Sequence, residues 1–144
     1  MKTHRNIGVI LSAGKGVRAG GKLPKQYIKV QGKLIVEYAI EAFKQSSETD
    51  VILIAAEEDW GEELKKLDCT FVAGGSERND TVQNVIDYVK NKYPECEKIL
   101  FHDSARPMIT TEYIDECFRL LDSYESVITT AHITDSLGKK EAKQ

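Results

Sequence analysis

Cysteine and histidine are scarce in this 144-residue chain, and no long apolar run occurs. The three cysteines, Cys69, Cys96 and Cys117, form no C-x-x-C pair and are odd in number. Neither a zinc knuckle nor a disulfide framework is therefore indicated, and reduced thiols in a cytoplasmic protein are expected. Of the histidines, His4 reads as a solvated terminal residue and His132 as one near a strand end, so only His102 has informative neighbours. No apolar stretch approaches the roughly 18 residues of a membrane span, and the start Met1-Lys-Thr-His-Arg-Asn6 has no secretory apolar region. A net charge of −3, with Lys and Arg scattered, argues against nucleic acid as a partner. Repeats, low-complexity tracts and internal linkers are absent, and only the tail from Gly138 to Gln144 reads as frayed.

What remains is ordinary globular composition, 41% hydrophobic and 30% charged, in one domain's length of chain. Strand and helix patterns alternate. Ile7–Leu11 reads as a strand, Val36–Phe43 as a helix, and Val51–Ala56 as an apolar run suited to burial on both faces of a parallel sheet. Glu58–Lys66 reads as a short helix and Thr70–Ala73 as a strand. Asp80–Tyr93 then reads as an amphipathic helix with Val82, Val85, Ile86 and Val89 inward. Lys98–His102 is expected as a strand, Thr111–Leu121 as a helix and Ser126–Ala131 as a last strand. This order predicts an α/β sandwich, residues 1–144 forming a single domain around a mostly parallel sheet.

The first strand empties into Ser12-Ala-Gly-Lys-Gly-Val-Arg18, followed by Leu23-Pro-Lys-Gln26. A glycine turn at Gly14 and Gly16 lets backbone N–H groups approach a phosphate chain, and Arg18 and Lys25 put two cations just beyond it. Three phosphate motifs compete here. A dinucleotide fingerprint fits Gly14-x-Gly16-x-x-Ala19 only in its tolerant form, and its acidic partner would be Glu37, inside a predicted helix. A P-loop fits Gly16-x-x-x-x-Gly21-Lys22 until Leu23, where a magnesium-binding Ser or Thr is required. The third uses the whole stretch and resembles the signature of sugar-nucleotide pyrophosphorylases and cytidylyltransferases.

Ligands bind at the carboxyl ends of strands in open α/β sheets, and the unusual residues fall there. The strand at 70–73 delivers Gly74-Gly-Ser-Glu-Arg-Asn-Asp-Thr81, the strand at 98–102 delivers His102-Asp-Ser-Ala-Arg-Pro107, and the last delivers Thr134-Asp135-Ser136. Together with the first turn, these segments resemble, in order and spacing over nearly the whole chain, the 2-C-methyl-D-erythritol 4-phosphate and ribitol-5-phosphate cytidylyltransferase family.

The resemblance implies a Rossmann-like, glycosyltransferase-A-type α/β/α fold. It also implies transfer of CMP from CTP to a polyol phosphate with release of pyrophosphate. 2-C-Methyl-D-erythritol 4-phosphate, hence isoprenoid biosynthesis, is the preferred substrate; ribitol 5-phosphate is the alternative, and a non-catalytic nucleotide-binding remnant is a second. Arg18 and Lys25 are implied as catalytic cations. Ala13, Gly14, Gly16, Gly74, Gly75, Thr81 and Ser104 are implied at the nucleotide, Asp103 on Mg²⁺, and Asp135 and Ser136 at the polyol phosphate. Asp103 also has a reading as a strand-end turn carboxylate, and Asp80–Thr81 one as an N-cap pair. His102 is expected to be structural and Arg106 to brace a carboxylate. The family's further segment carries a dimerising arm, a basic residue and an acidic group near the metal. The chain is therefore expected to be a C-terminally truncated member, a monomer or weak dimer with little turnover of its own.

Overall fold

The computed structural model describes residues 5–14 and 23–130. Its centre is a four-stranded, wholly parallel sheet of β1 (Asn6–Leu11), β4 (Val51–Ala56), β5 (Thr70–Ala73) and β6 (Lys98–Asp103), in the order β5-β4-β1-β6. A separate two-stranded hairpin pairs β2 (Lys29–Val30) with β3 (Lys33–Leu34). The helices are α1 (Ile35–Gln45), α2 (Gly61–Lys65), α3 (Arg78–Lys92) and α4 (Thr111–Leu120).

Alternation along β1 divides the core. Ile7, Val9 and Leu11 pack with Leu53, Val72, Val85 and Val89 on the α3 side. Ile10 and Ile54 pack with Ile40, Phe43, Leu64, Ile114 and Phe118 on the other, beneath α1, α2 and α4. In α3 the fully buried residues, Thr81, Val85 and Val89, recur every four positions, so that helix lays one stripe on the sheet. Both faces of the sheet are thus covered, as a parallel sheet of Val, Ile and Leu requires. Register then aligns the strand ends: Leu11 sits opposite Ala55 on one side and Asp103 on the other, and Ala56 opposite Ala73.

Three expectations change. No strand forms over residues 126–130, where Ile128 is 85% exposed. A β-branched run becomes a strand only with a ladder partner and a face to bury, and it has neither within the described residues. The helix expected over 58–66 is a 3₁₀ turn, Glu58–Trp60, leading into α2. The unpredicted hairpin β2–β3 turns on Gln31 (φ 51°) and Gly32 (φ 82°), the two positive φ values that a tight hairpin turn needs.

Candidate active site

Backbone hydrogen bonds tie three loops together at the carboxyl edge of the sheet. Beyond β1, the Ser12 N–H donates to the Ala55 carbonyl at 2.7 Å. Beyond β6, the Ser104 N–H donates to Leu11 at 3.0 Å, and beyond β5 the Gly74 N–H donates to Ala56 at 2.8 Å. The expected residues Ala13, Gly14, Gly74, Gly75, Asp103 and Ser104 are therefore brought to one edge. Gly16, Arg18, Asp135 and Ser136 lie outside the described residues.

The loops also touch through their side chains. A methyl group on Gly74 would lie 2.5 Å from the Ala13 Cβ and 3.3 Å from the Ala56 carbonyl oxygen. On Gly75 it would collide with Asp80 at the start of α3. The room these glycines make is taken by Ala13 and Asp80, so packing alone accounts for their identity. Gly74→Ala is expected to lower unfolding free energy by about 1–3 kcal/mol, the usual cost of overpacking, as read by urea denaturation.

Thr81 is 2% exposed, and its hydroxyl accepts from the Gly75 N–H at 3.0 Å and donates to the Glu77 carbonyl at 3.1 Å. The Asp80 carboxylate accepts from the Ser76 hydroxyl at 2.6 Å and from the Glu77 N–H at 3.2 Å. Helix α3 starts earlier than expected, with Glu77 at its N-cap and Asp80 at N3 in a capping box, so the cap is not an Asp80–Thr81 pair, and Thr81 fastens the first turn from inside. Thr81→Val keeps the shape and orphans the Gly75 N–H. A loss of about 1–3 kcal/mol is expected in the same denaturation measurement.

Lys25 is exposed, on a 3₁₀ turn Lys25–Tyr27 whose other two residues are buried. The Gln26 amide donates to the carbonyls of Ser12 at 2.9 Å and Gly14 at 3.1 Å. Ser12 donates its hydroxyl to the Tyr27 phenol oxygen at 3.0 Å, and the Tyr27 ring stacks on Trp60 at 3.8 Å. Burial pushes the Tyr27 phenol's pKa up, so it stays protonated at neutral pH.

Asp103 is held by two guanidinium groups. Arg78 Nη1 approaches Oδ1 at 2.6 Å, and Arg106 Nε lies 3.5 Å from Oδ2. Arg106 thus stands where a brace was expected. Arg78, reaching across from α3, had been given no role: a sequence reading places it in a loop motif without revealing which carboxylate lies opposite. His102 Nε2 is 2.9 Å from the Arg106 carbonyl oxygen, closing the turn after β6, and burial lowers its pKa. Glu37 accepts from the Leu34 N–H at 2.6 Å and so caps the start of α1, which removes it as the ribose-binding acid of a dinucleotide fold.

Among the described residues no group of three or more His, Cys, Asp or Glu gathers into a metal cage. Mg²⁺ needs no such cage, since one or two carboxylates plus substrate phosphates and water usually hold it. Asp103 supplies a hard, partly exposed carboxylate in register with Leu11, the last residue before the Ser12–Gly14 turn, and is held only by side chains that can swing away, so the residues present fit a phosphate-borne Mg²⁺.

Comparison with known proteins gives the same direction. Residues 7–144 match the family model described as IspD: 2-C-methyl-D-erythritol 4-phosphate cytidylyltransferase. A bifunctional ribulose 5-phosphate reductase/CDP-ribitol pyrophosphorylase, Bcs1, of Haemophilus influenzae is 34% identical over 95% of this chain and 30% of its own length. A 2-C-methyl-D-erythritol 4-phosphate cytidylyltransferase of Thermotoga neapolitana is 32% identical over 79% of this chain and 53% of its own length. A crystal structure of 4-diphosphocytidyl-2C-methyl-D-erythritol synthase superposes with a TM-score of 0.77 at 22% identity, covering 99% of this chain and 66% of that one. That likeness shows the fold, a Rossmann-like α/β/α sandwich. The chain spans from under a third to about half the length of these two curated relatives.

Proposed function

The chain belongs to the 2-C-methyl-D-erythritol 4-phosphate cytidylyltransferase family, and on that premise we propose that residues 1–144 form one domain that binds CTP for cytidylyl transfer to a polyol phosphate. The observation that carries this reading is the convergence of the Ser12–Gly14 turn, the Gly74–Gly75 loop and Asp103 at one sheet edge, with Lys25 on the turn clamped beneath the first of them.

An oxygen of the polyol phosphate attacks the α-phosphorus of CTP, forming a P–O bond as the bond to the β-phosphate oxygen breaks and pyrophosphate leaves. The second pKa of a phosphate monoester is about 6, so the nucleophile is largely deprotonated at neutral pH and needs no base. The work left to the protein is positioning and charge stabilisation. Lys25 and Arg18 neutralise the triphosphate and the charge gathering on it. Ala13, Gly14, Gly16 and Ser104 would line the nucleotide, with Gly74, Gly75 and the buried Thr81 shaping the loop beside it, while Asp135 and Ser136 would serve the polyol phosphate. Asp103 would hold Mg²⁺, which when bound would neutralise charge on the phosphate oxygens. Among the described residues no helix is long and apolar enough to cross a membrane, and Cys69, Cys96 and Cys117 are free, in keeping with a cytoplasmic enzyme. Homodimerisation is assigned to the family's arm, and residues 1–144 by themselves are expected to be a monomer or a weak dimer.

Methylerythritol phosphate is the favoured acceptor, supported by the matching family model and the Thermotoga relative. Ribitol 5-phosphate is the second reading, favoured by the Haemophilus relative at 34% identity. Following pyrophosphate release with CTP and each polyol phosphate, in a chain of the relatives' length, decides between them. Methylerythritol phosphate is expected to turn over faster, and a tenfold preference for ribitol 5-phosphate (about 1.4 kcal/mol in transition-state binding) reverses the assignment.

A further inference from the structure

Gln26 is a buried polar side chain, 5% exposed, whose amide nitrogen has both protons engaged by backbone carbonyls of another loop. The acceptors, Ser12 and Gly14, lie on either side of Ala13 in the turn that leaves β1. Nothing in the helix or sheet ladders requires this clamp. The 3₁₀ turn has its own backbone bonds, Tyr27 N–H to Pro24 and Ile28 N–H to Lys25, and β1 has full ladders on both sides.

The clamp fixes orientation. In a trans peptide the N–H points opposite to the C=O of the same unit, and there are no cis bonds here. With the Ser12 carbonyl turned toward Gln26, the Ala13 N–H is turned away from it. The same residue adjoins Lys25, whose side chain is exposed while Gln26 is buried. A second support stands beside it: the Tyr27 hydroxyl meets the Ser12 hydroxyl, and Trp60 stacks on the Tyr27 ring. The two segments that would bind the phosphates are thus joined by the Gln26 amide, with the Tyr27 hydroxyl beside it.

Resting on the CTP-binding reading above, we propose that Gln26 is a positioning residue that sets the Ser12–Gly14 turn against the Lys25 segment, so that the turn's N–H groups and the Lys25 ammonium address the same phosphate chain. A misplacement of about 1 Å in such a constellation is enough for a loss on the order of 10²-fold.

The test compares Gln26→Met, which fills the space without donating, with Gln26→Lys, which is similar in length and can donate to both carbonyls. Apo melting temperature and affinity for Mg²⁺-CTP and for cytidine are measured on the 144-residue protein. Gln26→Met is expected to weaken CTP by roughly 10–100-fold while leaving cytidine, which has no phosphate, within about twofold, and Gln26→Lys to recover most of the loss. If Gln26→Met does not fold, Gln26→Glu takes its place, matching glutamine in shape and donating nothing when ionised. Three results overturn the inference alone: CTP affinity kept within about twofold, equal losses for CTP and cytidine, or no recovery with Lys. A wild-type protein that binds no CTP overturns the functional reading and this inference with it.

Discussion

Lys25→Ala is expected to lower the rate of CTP-dependent pyrophosphate release by roughly 10²–10³, the scale of losing one group aimed at transition-state charge. Lys25 is exposed at the mouth of the turn, and among the described residues no ion pair engages it. Its charge is therefore available to the ligand rather than spent within the fold. Removing it leaves Gln26 and Tyr27, the buried members of the same turn, in place, so the apo melting temperature should barely move. Arg18→Ala is expected to show a loss of the same order on the same grounds of charge. The measurement is steady-state pyrophosphate release in a chain of the relatives' length, with CTP affinity of the 144-residue protein alongside. Losses below about threefold in both variants would remove these two cations from the mechanism.

Asp103→Asn should weaken Mg²⁺-dependent CTP binding by roughly 10–100-fold, as changes around metal sites commonly do. The substitution keeps shape and removes charge. Its effect on the apo fold should be small, because the Arg78–Asp103 pair is exposed (63% and 36% by side chain) and such pairs contribute about 0–1 kcal/mol. Calorimetric titration of CTP with and without Mg²⁺ separates the two contributions. Binding without Mg²⁺ should improve slightly if anything, since Arg78 and Arg106 lose the carboxylate that holds them and face the triphosphate instead. Unchanged Mg²⁺ dependence would move the metal to another ligand.

The arrangement of the Asp103 cluster has a consequence for how metal and arginine compete. A carboxylate with a guanidinium 2.6 Å from one oxygen and another 3.5 Å from the second has both of its faces engaged before any ligand arrives. With Asp103 as the proposed Mg²⁺ ligand, Mg²⁺-CTP would bring both a cation for the carboxylate and anions for the arginines, so the exchange would conserve charge pairing. Free Mg²⁺ brings only the first and should bind poorly.

How far these features were legible in the sequence depended on whether their cause was local. The apolar run Val51–Ala56 and the spacing of Val85 and Val89 specify strand and helix through backbone sterics and periodicity, which neighbours in sequence decide. The family resemblance added the roles expected of Lys25 and Asp103. Two elements were misjudged because their cause is not local. Residues 126–130 have the composition of a strand, but strand formation needs a hydrogen-bonded partner, and β6 has only β1 beside it in the described sheet. The β2–β3 hairpin depends on Gln31 adopting a positive φ, which its residue type does not announce.

The sequence by itself determined the order of the four sheet strands and of the helices between them, and the family that their end residues mark. Each of these follows from side-chain chemistry and spacing along one chain. Only the tertiary structure decided that Gly74 packs on Ala13, that Arg78 reaches Asp103 from α3, and that Gln26 holds the Ser12–Gly14 turn. The physical reason is that the first two contacts join loops that crossover helices separate in sequence and the inter-strand register returns to one edge, while the Gln26 contact folds the connection between β1 and β2 back on itself through side-chain packing.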